Sequence, residues 1–198
     1  MFHLQGPTTW GDFGQILFSG YPVGETEGKT RLMRTGPFMP PITFPSLECV
    51  VSDEFRHKLE QSGLTGLSFR EVIKHRIVTL HWEKWDRSLD LTPEQLPPSE
   101  PEDYLLKRRH SIRSAKALGD LWQLCPPRHQ MEWVERRGWK RYPQDESTRY
   151  ALDWSRSPTI DTDFWSDGGS VCVTEKAKAW LEECVPEWVN CTQIPTVD

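Results

Sequence analysis

Several stretches of this 198-residue chain hold residue types that could do chemistry. GETEGKT, Gly24 to Thr30, has the glycines, lysine and threonine of a phosphate-binding loop. Only three residues separate Gly24 from Gly28, however, where the loop needs Gly-x-x-x-x-Gly-Lys-Ser/Thr. Glu25 and Glu27 would aim negative charge at a phosphate, and Gly36 and Pro37 follow too soon for a helix to supply its N-terminus. The stretch reads as a hairpin turn. DTDFWSDGG, Asp161 to Gly169, has the acid spacing of a calcium loop at its start. Ser166 and Cys172 stand where that loop needs glycine and glutamate, and Trp165 where it needs an oxygen ligand. His75 and His81 would share one face of a strand about 20 Å apart, too far for one metal.

The chain contains no His-Glu-x-x-His, nucleophile elbow or glycine-rich dinucleotide fingerprint. No catalytic residue, no metal ligand and no cofactor is expected, and the protein is read as not an enzyme. Five cysteines, Cys49, Cys125, Cys172, Cys184 and Cys191, are odd in number and lack a Cys-x-x-Cys, so they read as reduced thiols. Lys107, Arg108, Arg109, Arg113 and Lys116 form a basic run, with Arg109, Arg113 and Lys116 along one face if the segment is helical. Acids precede it at Glu94, Glu100, Glu102 and Asp103, so local ion pairing is the simpler account.

The elements that must position these residues are mixed. QILFSGY reads as a short strand and RTGPFMPPITFPS as a proline-punctuated connector. IVTLHW alternates like a strand with Val78, Leu80 and Trp82 on one face, and RYALDW does the same with Tyr150, Leu152 and Trp154. KRRHSIRSAKALGDLW reads as a basic helix ended by Gly119, and MEWVERRG as a second charged helix. DLTPEQLPPSEPEDY, residues 90–104, has the composition of an extended surface loop. The order predicts an α+β fold: a mixed or antiparallel sheet with a few helices, in one globular domain over 1–198. Halves 1–90 and 105–198 could meet at the 90–104 loop.

One pattern occurs twice. VSDEFRHKLEQSGLTGLSFREV, from Val51, and VTEKAKAWLEECVPEWVNCTQI, from Val173, share a Ser/Thr cap, an acid after it, an apolar stripe and a strand in one phase. Three identities are too few to separate duplication from convergence on a common strand-helix-strand unit.

This paired pattern, with DTDFW leading into VCVTEKAKAWLEE and with RTGPFMPPITFP and LSFREVIKHRIVTLHWEKWD, resembles the immunity proteins of bacterial polymorphic and contact-dependent toxin systems. The resemblance covers about half the chain. It implies a non-enzymatic cytoplasmic α+β protein that binds and neutralises one cognate toxin, through its C-terminal toxic domain, by protein–protein interaction. A net charge of -5, ten tryptophans and an N-terminus without a leader agree with it. No membrane contact is expected, and nucleic acid is not an expected partner. The acids beside aromatics are the expected partner-binding residues: Glu100, Glu102, Asp103 and Tyr104 in one loop, Asp161, Asp163, Trp165 and Asp167 in the other. Charge reversal at Asp163 should then weaken binding and spare the fold. The alternatives are a nucleic-acid-binding regulator using Lys107 to Lys116, or an uncharacterised enzyme with a pocket around His81 and Glu83.

Overall fold

Gly and Pro divide the chain into short elements, which a computed structural model describes over residues 1–89, 100–135 and 150–197. Strand β1 (Phe2–Gln5) leads into helix α1 (Gly11–Ser19). The expected strand over QILFSGY is therefore a helix for most of its length. A short apolar run fits either period, and Ile16, Leu17 and Phe18 are all buried, so the exposed face of the helix is marked only in its first half, by Gly11, Asp12 and Gln15. Strands β2 (Tyr21–Thr26) and β3 (Lys29–Gly36) form the expected hairpin. Its turn residues Glu27 and Gly28 both have left-handed φ, 53° and 72°, which matches the twist of the flanking strands.

Next come β4 (Ile42–Thr43), β5 (Val50–Ser52) and α2 (Asp53–Gln61), whose first turn is capped by Ser52. Strands β6 (Phe69–Glu71) and β7 (Ile73–Thr79) are one bent strand interrupted at Val72. The strand stops before Leu80, so Trp82 lies not on its face but in a following 3-10 turn (Trp82–Lys84). There it is buried against Phe18 and donates its indole N–H to Thr35 at 3.0 Å. The basic segment is broken: α3 (Pro101–Leu106) and α4 (Ile112–Ala117) are separate short helices, with Lys107–Ser111 between them. Ser111 caps α4 by accepting the N–H of Ser114, which sets the helix start after Arg109.

Strand β8 (Leu121–Leu124) follows, then β9 (Trp133–Glu135), where a charged helix was expected over MEWVERRG. Val134 pairs with Ala151 of β10 (Tyr150–Asp153), so cross-strand partners outweigh the charge pattern; residues 136–138 of that stretch lie outside the described residues. The chain closes with β11 (Phe164–Ser166), β12 (Val171–Val173), α5 (Glu175–Cys184), β13 (Asn190–Gln193) and β14 (Thr196–Val197). The class is α+β with antiparallel and mixed sheets, as expected.

The repeated pattern extends well beyond one strand-helix-strand unit. Two four-stranded antiparallel sheets, β4-β5-β8-β6 and β11-β12-β1-β13, share order, direction and register. Val51 pairs with Ile42 and Trp122, and Val173 with Phe164 and Phe2. Leu124 faces Phe69 as Leu4 faces Cys191. Backbone bonds repeat too: Ser52 N–H to Pro41 and Thr174 N–H to Asp163, then Val72 N–H to Leu121 and Ile194 N–H to Met1. Beyond each sheet the bent strand continues in parallel beside a hairpin, β7 along β3 with β2, and β14 along β10 with β9. Apart from α1 in the first half and α3 and α4 ahead of β8 in the second, each half is thus a leading strand, an antiparallel strand pair, two strands, a helix and a bent strand. The leading strands are exchanged, β1 entering the second half's sheet and β8 the first's. Convergence on a capped helix does not account for agreement at this level of register.

The exchange places equivalent residues in one core: Val51 with Val173, Leu59 with Leu181, Leu4 with Leu124, Ile42 with Phe164. Each fully buried aliphatic side chain there stabilises by about 1.5–3 kcal/mol. The reverse sheet faces build two smaller cores, one holding Val50 and Val72, the other their counterparts Cys172 and Ile194.

Candidate functional site

Asp163 and Trp165 do not lie on a free surface. Phe164 points into the shared core and Trp165 into the smaller one, because β11 is covered on both faces. Asp163 is 9% exposed and ties three segments together. Its Oδ2 accepts from the Thr65 N–H at 3.0 Å, the Thr65 hydroxyl at 3.1 Å and Lys176 at 3.2 Å, while Oδ1 accepts from the Thr174 hydroxyl at 3.0 Å. Burial raises this carboxyl, but the Thr65 N–H, Lys176 and the two hydroxyls outweigh it and hold the group below its ordinary range. Both residues are therefore structural, and charge reversal at Asp163 strikes the fold.

The remaining expected contacts fall into two separate places. Asp161 is exposed, and Asp167 closes the β11–β12 turn by accepting the N–H groups of Gly169 and Ser170 at 2.8 and 3.0 Å. Glu100 is exposed just before α3, Glu102 and Asp103 fill its first turn, and Asp103 pairs with Lys107. Tyr104 carries the Arg108 guanidinium over its ring at 4.2 Å. Helix α3 packs on α1, β3 and β7, away from the β11–β12 hairpin.

The basic run is also rearranged. Arg109 precedes α4, so it shares no helical face with Arg113 and Lys116. His75 sits 2.9 Å from Arg31, and His81 2.9 Å from Glu83 at an exposed site. Neither histidine meets a cavity wall named below.

A groove of about 380 Å³ runs between α1, the end of β1 and the loop after β4. Sequence reasoning did not find it, because its walls come from residues 4–19, 44–48 and 170–171. Asp12, Gln15, Gln5 and Glu48 supply polar groups, Phe18 and Phe44 apolar surface, and Leu47 stands on it 70% exposed. The backbone is strained on both sides: Trp10, just before the groove residue Gly11, has φ 62°, and Ser46 has φ 59°. Non-glycine residues held in this region cost roughly 1–3 kcal/mol and cluster at functional sites. Glu48 is half-buried and its Oε2 has no hydrogen-bond partner. Burial raises its carboxyl above the ordinary range, against hydrogen bonding from Thr30 and the charge of Arg70, with Glu25 raising it further. A second concavity, beside Asp53 to Lys58, has its acids already engaged, Asp53 by Arg56 and Trp122, Glu54 by Lys58.

A further cluster adjoins the groove at Ser170. Sheet register sets His3 opposite Cys172, and the β11–β12 turn brings Asp167 beside them. His3 Nδ1 lies 2.9 Å from the Ser170 hydroxyl and 3.5 Å from Cys172 Sγ. One nitrogen, one sulfur and one carboxylate oxygen lie within 4.8 Å of one another, the group of potential metal ligands found among the described residues. Burial lowers the His3 pKa, against the charge of Asp167, and pushes the Cys172 thiol up to about 12. No sequence spacing signals the cluster, since His3 and Cys172 are far apart in the chain.

No helix among the described residues is long and apolar enough to cross a membrane. Comparison with protein-family models, curated proteins and solved structures finds no match to this chain.

Proposed function

We propose that the chain is an immunity protein that binds a cognate bacterial toxin domain and neutralises it, with the groove at Glu48 as the anchor point. The observation that carries this reading is the groove itself, with the acids Asp12 and Glu48 among its lining residues and Leu47 exposed on it. An arginine or lysine from a partner entering the groove would pair with these acids and favour the ionised form of Glu48. Leu47 would be covered by the same contact. A few deep anchors surrounded by weaker contacts dominate most protein interfaces. The net charge of -5 would speed encounter with a basic toxin cleft. The sequence resemblance supplies the partner class, and Asp161, Glu100 and Glu102 lie on surfaces free to add rim contacts.

The test is capture of a partner on the tagged chain, followed by expression of that partner's C-terminal domain in a host with and without this protein. Growth arrest by the domain, relieved by the wild type and at least tenfold less by Glu48→Gln or Leu47→Asp, is the expected result. A captured domain that arrests no growth, or arrest relieved equally by both variants, overturns the reading or its site respectively. The exposed Arg109, Arg113 and Lys116 beside Ile112, itself 79% exposed, favour a second reading, an acidic partner or nucleic acid. Binding of nucleic acid that falls steeply with salt would support it.

A further inference from the structure

We propose that His3, Asp167 and Cys172 form a zinc site that clamps the exchanged strand β1 onto the β11–β12 hairpin. A nitrogen, a thiolate sulfur and a carboxylate oxygen are a donor set suited to Zn²⁺. The separation of His3 from Cys172 matches that of the bound state. Tetrahedral zinc with bonds of about 2.0–2.3 Å sets its sulfur and nitrogen ligands about 3.6 Å apart, and Cys172 Sγ lies 3.5 Å from His3 Nδ1. Asp167 Oδ1 accepts the Gly169 and Ser170 N–H groups, which fixes the carboxylate that would bind the metal. The Ser170 hydroxyl, 2.9 Å from His3 Nδ1, or a water would complete the coordination.

Without metal, His3 Nδ1 faces both the thiol and the hydroxyl, and in the tautomer protonated at Nε2 its lone pair points where a cation would sit. Binding replaces the thiol proton, and one proton leaves for each zinc taken up. His3 and Asp167 are partly exposed, which opens a path for the ion, whereas Cys172 is fully buried behind them. The turn is held from outside by Arg128, whose guanidinium packs on Gly168 so closely that a side chain there would collide with it.

The two-fold repeat adds an internal comparison. The pair equivalent to His3 and Cys172 in the other sheet is Gln123 opposite Val50, which offers no such ligand set. The fold alone does not require these ligands, because the same address is built in the first half without them. The inference does not rest on the immunity reading.

The experiment uses the untagged full chain, stripped with a chelator and titrated with Co²⁺ and then Zn²⁺. One cobalt per chain should bind with a thiolate-to-cobalt charge-transfer band and tetrahedral visible absorption, and zinc should bleach both. Cys172→Ala and His3→Gln should abolish the band, Asp167→Asn should weaken zinc binding at least tenfold, and Cys184→Ser should leave it intact. No charge-transfer band in the wild type, or one that survives Cys172→Ala or disappears with Cys184→Ser, overturns the proposal. The wild type and Cys184→Ser decide the matter even where a ligand variant fails to fold. Rising Tm with zinc in the wild type, absent in Asp167→Asn, would show that the ion acts on the clamp.

Discussion

The indole N–H of Trp122 donates to Asp53 Oδ1 across 2.8 Å, tying the leading strand of the second half to the helix of the first. Arg56, one turn further along that helix, lies over the same ring at 4.3 Å. The counterpart is Lys178 over Phe2 at 4.8 Å, where the first half's leading strand meets the second half's helix. Trp122→Leu removes a hydrogen bond and a cation–π contact worth together about 2 kcal/mol. A Tm lower by about 4–8 °C is expected in calorimetry; an unchanged Tm would show that the tie contributes nothing.

Because β1 and β8 are exchanged, each half lacks the strand between its own second strand and its bent strand. A fragment of residues 1–89 and a fragment of 100–198 should each unfold without a cooperative transition when alone. Mixed in equal amounts they should recover the far-ultraviolet spectrum and cooperative melting of the intact chain. Cooperative folding of either fragment by itself would mean that its sheet closes without the borrowed strand.

Asp163 links stability to pH. Its folded pKa lies below the ordinary carboxyl value, so its contribution is present in full above the unfolded value near 3.9 and is lost as pH falls through the folded one. Asp163→Asn should be less stable than the wild type at neutral pH by about 2 kcal/mol. The gap should narrow as denaturant titrations are taken below pH 4 or so. A gap that stays constant across that range would exclude the linkage.

Arg34 is fully buried and makes no salt bridge among the described residues. Its Nε donates to Thr35 O at 3.1 Å and one terminal nitrogen to Phe18 O at 3.0 Å, while the other terminal nitrogen has no partner. Burial brings its pKa down to about 9, so the guanidinium stays charged at neutral pH. Buried charges are often replaceable by apolar residues of similar volume without loss. Arg34→Met should match or exceed wild-type stability in urea, whereas Arg34→Ala should lose about 3 kcal/mol to the cavity. Strong destabilisation by methionine would instead assign the charge a structural role at the C-terminus of α1.

Local features were legible in the residues. Ser52 and Thr174 cap helices because a hydroxyl after a strand and before an apolar stripe has free amides within reach. Glu27 and Gly28 turn the hairpin as GETEGKT suggested. Features that depend on surroundings were not. QILFS read as a strand because Ile16, Leu17 and Phe18 are all covered, while the polar face of the helix rests on Asp12 and Gln15 at its start. Trp165 and Asp163 resembled contact residues since an acid beside an aromatic looks the same in an interface and in a core.

The candidate sites follow the same division. By itself the amino-acid order determined the α+β class, the two capped helices and part of each alternating strand, Ile77–Thr79 and Tyr150–Asp153, all of which depend on neighbours within a few residues. The exchange of β1 and β8, the groove at Glu48 and the meeting of His3 with Asp167 and Cys172 arose only on folding. Strand pairing joins residues at any separation along the chain, and a one-residue slip turns every side chain to the other face. Which side chains converge is therefore set by register across the sheet rather than by spacing along the sequence.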